Sequence, residues 1–287
     1  MKKIWAKVKK INKRWPMAKV FLMALVVVIA SGVVMLTRGN DLAKWQASTE
    51  AELAKQLEME NEVSGVVGEV TEMPETEDTL EVSREEQLKG KKLVALTFDD
   101  GPSAVTTGRL LDILKEKGVR VTFFVLGIMV EKWPEVVQRA IAEGHEVESH
   151  TMGHKKFTRM NQGAVEWEIG RAREVIEAVT GQTVKYLRTP YGIVTDSSKV
   201  MPIILWSVDP QDWKDKDAQV VRERVVGAVH DGAIVLMHDI YGTTVDAVAG
   251  IIDDLLAQGY EMVTVNELFE ARGVITETGV VYRRVGD

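Results

Sequence analysis

Residues 93–101, Leu93-Val94-Ala95-Leu96-Thr97-Phe98-Asp99-Asp100-Gly101, form an apolar run that stops on two adjacent carboxylates and a glycine. An amphipathic pattern follows over Gly108–Lys117 and stops at Gly118, a residue suited to the left-handed turn that closes a helix. The same unit recurs downstream. Strand candidates are Leu93–Phe98, Val121–Leu126, His145–His150, Lys185–Arg188, Ile203–Val208, Ala233–His238 and Glu261–Val265. Pro134–Glu143, Val165–Val179, Gln219–Val229 and Val245–Gln258 supply further helix candidates, stopped by Gly144, Gly181, Gly232 and Gly259. Strand alternating with helix about seven times predicts parallel strands joined by helical crossovers. The link between the fourth and fifth strands is too short for a full crossover helix. A closed or nearly closed β/α barrel fits this pattern, with a doubly wound open sheet as the alternative.

Five polar clusters each sit just after one of these apolar runs. They are Thr97-Phe98-Asp99-Asp100-Gly101, His150-Thr151-Met152-Gly153-His154, Arg188-Thr189-Pro190-Tyr191-Gly192, Asp209-Pro210-Gln211-Asp212-Trp213 and Leu236-Met237-His238. All fall at the carboxyl ends of predicted strands, the end at which barrels and open sheets alike bind ligands. Taken singly, each has a plainer reading. Asp99-Asp100-Gly101 also suits a simple turn, and Arg188 suits a structural ion pair. Asp209 and Asp212 suit caps of the following segment. His150 and His154, four apart, would share one face of a helical turn at metal-ligand separation. Adjacent Asp99 and Asp100 would diverge by the strand's period of two, one toward a metal and one toward a substrate. Together they offer a metal-dependent hydrolytic site. The chain has no cysteine, so any metal must be held by imidazoles and carboxylates.

The N-terminal third has another character. Residues 1–19 carry eight Lys or Arg and no acid, and Val20–Leu36 is then uncharged for seventeen residues. As a helix that run would be about 25 Å long, at the short end of what spans a bilayer. The basic flank predicts a cytoplasmic N-terminus and an extracytoplasmic remainder. An uncleaved signal anchor over 20–37 is expected, with cleavage near Ala30-Ser31-Gly32 as the alternative. Residues 38–90 read as an acidic stem, holding fourteen acids against four bases between 38 and 88. The globular domain is expected over 91–273, and 274–287 as a tail that could turn back about Gly279. A net charge of −7 argues against nucleic acid as the main partner.

The motifs TFDDGPS, HTxxH, RxPYG, DxxDW and LxH, in this order and at strand ends, resemble the signature of the NodB-homology polysaccharide deacetylases, a carbohydrate esterase family. The resemblance covers about Lys91 to Gly273. It implies a distorted (β/α)7 barrel, here preceded by one N-terminal transmembrane helix and an acidic stem. It implies Asp100, His150 and His154 as ligands of a divalent metal, usually zinc, with cobalt as an alternative. It implies Asp99 as general base and His238 as general acid, with Asp209 pairing with His238 and Arg188 holding the base carboxylate. The Tyr191 N–H would stabilise the oxyanion, and Trp213 and Leu236 would wall an acetyl pocket. Ser149 stands where the family commonly has Asn before the first metal histidine.

The expected function is therefore metal-dependent removal of N-acetyl groups from cell-wall polysaccharide, with N-acetylglucosamine of peptidoglycan as the substrate. Chitooligosaccharide, poly-N-acetylglucosamine, N-acetylmuramic acid and acetylxylan fall within the family's range. A non-catalytic glycan-binding module and a hydrolase of a different bond are the rival classes.

Overall fold

The computed structural model describes residues 84–286. The basic segment, the expected anchor over 20–37 and the stem as far as residue 83 lie outside the described residues. Among the described residues no helix is long and apolar enough to cross a membrane.

A short helix, α1 (Arg84–Leu88), precedes β1 (Lys92–Asp99). Leu88 is buried, so the folded part takes in the last residues of the predicted stem. Next come α2 (Thr106–Lys117), β2 (Thr122–Val125), α3 (Gly127–Lys132), α4 (Pro134–Ala142), β3 (Glu146–Ser149) and the long α5 (Gln162–Thr180). An irregular stretch leads to β4 (Ile203–Ile204), α6 (Asp212–Asp215) and α7 (Ala218–Ala228). The remainder is β5 (Ala233–His238), α8 (Gly242–Ala257), β6 (Tyr260–Met262), α9 (Val265–Ala271) and β7 (Val281–Tyr282).

Strands β3-β2-β1-β5 pair in that order, all parallel, and β6 joins the N-terminal end of β1. Single bridges, Ser149 to Leu187, Leu187 to Ile203 and Val208 to Val235, continue from β3 round to β5 and complete a distorted ring. The sheet is thus a barrel and not a doubly wound open sheet. In the β1–β5 ladder Asp99 lies opposite His238.

Two expected strands are not formed as such. Lys185–Arg188 makes only bridges, because the N–H groups of Lys185 and Tyr186 both donate to the buried Glu148 carboxylate at 2.9 Å. Ile203–Val208 contracts to β4. The tail does not fold as a hairpin: β7 runs parallel to β4, Ile203 opposite Val281 and Ile204 opposite Tyr282. The Val285 N–H then donates to the Gly232 carbonyl at 2.9 Å. Gly232 needs its missing side chain there, since it has φ +74° and a Cβ would strike the Val285 carbonyl.

Strand alternation separates two hydrophobic cores. Val94, Leu96 and Phe98 face outward and pack with Leu110, Leu111, Ile251 and Ile252 of the helices. Leu93 and Ala95 face inward and pack with Phe124, Tyr186, Ile204 and Ile234. The inward parity carries on to Thr97 and Asp99 on β1, and from Ile234 to Leu236 and His238 on β5. A plug of apolar side chains therefore fills the barrel beneath its polar mouth.

Candidate active site

Asp99 ends β1 with 2% of its surface exposed, and Arg188 is wholly buried. The guanidinium donates from Nη1 to Asp99 Oδ1 at 2.7 Å and to Thr97 Oγ1 at 2.7 Å. Its Nε donates to the Ile204 carbonyl at 3.0 Å and its Nη2 to the Leu205 carbonyl at 3.3 Å. The cation also lies 3.9 Å from the centre of the Phe124 ring, a favourable cation–π contact. Burial pushes the Asp99 carboxyl up, and the adjacent guanidinium pulls against that rise. Burying two charges costs several kcal/mol per ion unless all their hydrogen bonds are met, which accounts for this dense set of acceptors around Arg188.

Asp100 turns away from its neighbour through a left-handed backbone, φ 73°, and not through plain strand alternation. Its Oδ1 lies 3.6 Å from His150 Nε2 and 3.6 Å from His154 Nε2. The two imidazoles come together in a loop, not on the helical turn expected from their spacing. Thr151 at φ 74° and His154 at φ 55° bend the chain and set the rings 4.9 Å apart. The first N–H groups of α3, which lack partners within their own helix, hold that bend: Gly127 and Ile128 donate to the carbonyls of Thr151 and Met152 at 3.0 Å. From α5, Glu168 accepts the Gly153 N–H at 2.7 Å.

These three residues fit a divalent metal. Their ligand atoms all lie within 4.8 Å of one another. Asp100 Oδ1 is buried without a hydrogen-bond partner. Burial pushes the His150 imidazole down to about 3, with Asp100 opposing, so the ring is neutral at physiological pH. Its Nδ1 lies 2.8 Å from the Arg188 carbonyl, which can only accept, so Nδ1 carries the proton and Nε2 keeps its lone pair for a metal. Three protein ligands leave room for water and substrate, as a catalytic site requires.

The partner of His238 differs from the expected one. Asp209 is exposed and its carboxylate accepts the Gln211 N–H at 2.8 Å. Asp212, three residues on and fully buried, is the group that meets the histidine. Its Oδ1 lies 2.8 Å from His238 Nδ1 and accepts the Trp213 N–H at 2.9 Å. Its Oδ2 accepts the His238 N–H and the Thr244 hydroxyl, both at 2.8 Å. The exchange of roles comes from the left-handed Gln211, φ 56°, which reverses the chain between the two acids.

Burial alone would lower the His238 pKa, but the hydrogen bond and charge of Asp212, with Asp99 and Asp100 beyond, raise it to about 9. Tyr241, 5.8 Å away ring to ring, completes its surroundings. A proton is thus held on His238 below about pH 9. Asp212→Asn removes the main charge that raises this value. The alkaline limb of the kcat/KM profile is therefore expected to move down by about one pH unit or more. A pH series of acetate release checks this, and an unmoved limb would assign it to another group.

Leu236 is buried on the inner face of β5, one inward position below His238. Tyr191 is 61% exposed, has φ 60°, and sets its ring 4.6 Å from that of His154. Trp213 is half exposed at the start of α6. Beside these expected residues stand groups to which the sequence assigned no role. Thr97 links Arg188 to β5 by donating to the Val235 carbonyl at 2.6 Å. Asp239, fully buried, accepts from Thr107 Oγ1 at 2.5 Å and packs where a Cβ on Gly101 would stand. Only its place directly after His238 hinted at Asp239.

These groups, gathered at the mouth of a β/α barrel, make up a candidate hydrolytic site. The model of the polysaccharide deacetylase family matches residues 86–201. The chain is 38% identical over 207 residues to the peptidoglycan-N-acetylmuramic acid deacetylase PdaC of Bacillus subtilis, which covers 71% of this chain and 44% of that protein. It is 42% identical over 186 residues to the peptidoglycan-N-acetylglucosamine deacetylase PgdA of Listeria monocytogenes, covering 64% of this chain and 40% of that one. The chain thus spans less than half the length of these two relatives. A solved family 4 acetyl xylan esterase from Clostridium thermocellum, in complex with a cobalt ion, aligns with a TM-score of 0.65 and 32% identity over 68% of this chain and 99% of its own. The chain belongs to the polysaccharide deacetylase family.

Proposed function

We propose that the protein removes acetyl groups from N-acetylglucosamine in peptidoglycan, releasing acetate, and that it works on the outer side of the membrane. One observation carries this reading: Asp99 Oδ2 lies 3.7 Å from His150 Nε2, the same nitrogen that Asp100 approaches to 3.6 Å. A base is thereby set beside a ligand triad. A divalent ion held by Asp100, His150 and His154, zinc or cobalt, would acidify water and polarise the acetyl carbonyl.

The chain's own groups do the rest. Asp99 accepts a proton from the attacking water, its carboxylate fixed and kept ionised by Arg188. The Tyr191 N–H faces the oxygen that gains charge. His238, held protonated by Asp212, delivers its proton to the departing amine, without which an amide nitrogen leaves poorly. Leu236 and Trp213 flank the acetyl methyl. The two peptidoglycan-deacetylating relatives support the substrate class. The eight basic residues ahead of the uncharged run Val20–Leu36 support an anchor with the catalytic part outside.

The test is acetate release by the full-length protein from peptidoglycan, chitooligosaccharides and acetylxylan. Peptidoglycan is expected to yield the most, with no shortening of the glycan by mass spectrometry. Stripping divalent metal with a chelator is expected to reduce release to background, and added Zn2+ or Co2+ to restore it. No acetate from any of these glycans with either metal present would overturn the proposal.

A further inference from the structure

Beside the metal-ligand triad lies an open cleft of about 480 Å³, lined by His154 and Tyr191 together with Lys155, Lys156 and Arg159. The three cations are exposed, and among the described residues none has an acidic partner. What sets these three apart is that they share one cleft. The chain's net charge is −7, and nearby arginines are matched: Arg171 by Glu131 and Glu174, Arg173 by Glu177. The one acid in the cleft, Glu168, is 4% exposed and accepts the Gly153 N–H at 2.7 Å, so it is engaged in holding the loop. Three unmatched positive charges therefore face the space next to the reacting position. A neutral N-acetylated glycan offers them hydrogen-bond acceptors but no counter-charge.

We propose that Lys155, Lys156 and Arg159 form an anion-binding subsite that selects glycans bearing carboxylates, specifically the lactyl carboxylate left free on a peptide-free muramyl sugar adjoining the one deacetylated. This rests on the deacetylase reading above and names what distinguishes a peptide-free muramyl glycan from neutral chitooligosaccharide at the same site. Like-signed charges clustered at the mouth of a cleft raise the local concentration of an oppositely charged substrate, an effect that salt suppresses. The three act on the substrate's charge and not on the reacting atoms.

The test compares one tetrasaccharide of alternating N-acetylglucosamine and N-acetylmuramic acid in two forms, with free lactyl carboxylates and with the same groups methyl-esterified. The full-length protein is expected to favour the acid over the ester by about tenfold in kcat/KM at low ionic strength. The gap closes in about 0.5 M NaCl. Lys155→Gln, Lys156→Gln and Arg159→Gln together are expected to abolish the preference through a higher KM for the acid. Lys155→Arg, Lys156→Arg and Arg159→Lys together keep it, which a role in loop folding alone would not predict. Equal rates on acid and ester, or a preference that survives the triple Gln variant, would overturn the subsite while leaving the deacetylase reading intact. No acetate from either form would overturn the deacetylase reading itself and the subsite with it.

Discussion

Asp99→Asn is expected to lower kcat for acetate release by about 10³- to 10⁴-fold while metal binding persists. General-base catalysis is worth about 10²- to 10⁴-fold, and the upper part of that range applies because water is the nucleophile. The amide has the shape of the carboxylate but cannot take a proton. Asp100, His150 and His154 are untouched, so zinc content measured on the purified variant should equal that of wild type. Glycan binding should survive as well, which separates an enzyme from a binding module. The substitution also leaves the Arg188 guanidinium without its counter-charge, so turnover is compared per folded molecule. Retention of more than about a tenth of wild-type turnover would remove Asp99 from the role of base.

Arg188→Ala is expected to be the most destabilising of the site substitutions, by about 3–5 kcal/mol, because it strands a buried carboxylate. For a folded unit of this size that loss corresponds to a drop in Tm of roughly 10 °C. The side chain is wholly buried, against Phe124 and beneath Thr97, so its removal also leaves a void. Activity should vanish with it, since the Asp99 carboxyl then meets burial with only His238 and His154 opposing. The informative comparison is the double variant Asp99→Asn with Arg188→Met. It removes both charges and fills the space, so most of the stability should return while activity stays lost. Recovery of stability without recovery of function would show that this ion pair is kept for chemistry. Thermal unfolding of both variants beside acetate assays decides it.

Much of the barrel was legible because its helices announce their ends. Gly118 and Gly181 do close α2 and α5 in the left-handed conformation, φ 66° and 67°, that their glycines allow. The Lys185–Arg188 segment misled because its amides are satisfied by Glu148, a side chain from a different strand, and no local pattern encodes that partner. The same holds for β7, whose partner β4 lies far back in the chain.

At the site, the residue types were legible but the backbone that aims them was not. Asp100, Thr151, His154, Tyr191 and Gln211 all sit at positive φ, although none is glycine. The HxxxH pair therefore meets through a loop, and Asp212 replaces Asp209 beside His238. Two carboxylates three apart within one motif look equivalent until a reversal at Gln211 decides which turns inward.

The ladder that sets Asp99 opposite His238 makes the barrel a gauge. The span between a proton acceptor on β1 and a proton donor on β5 is inherited from the spacing of paired strands, about 4.8 Å. It does not depend on how the loops around the mouth are built. Thr97, bonded both to Arg188 and to the Val235 carbonyl, locks the jaws of that gauge from below. Loops at the rim can then diverge to take amide or ester, charged or neutral glycan, without resetting the distance over which the protons travel.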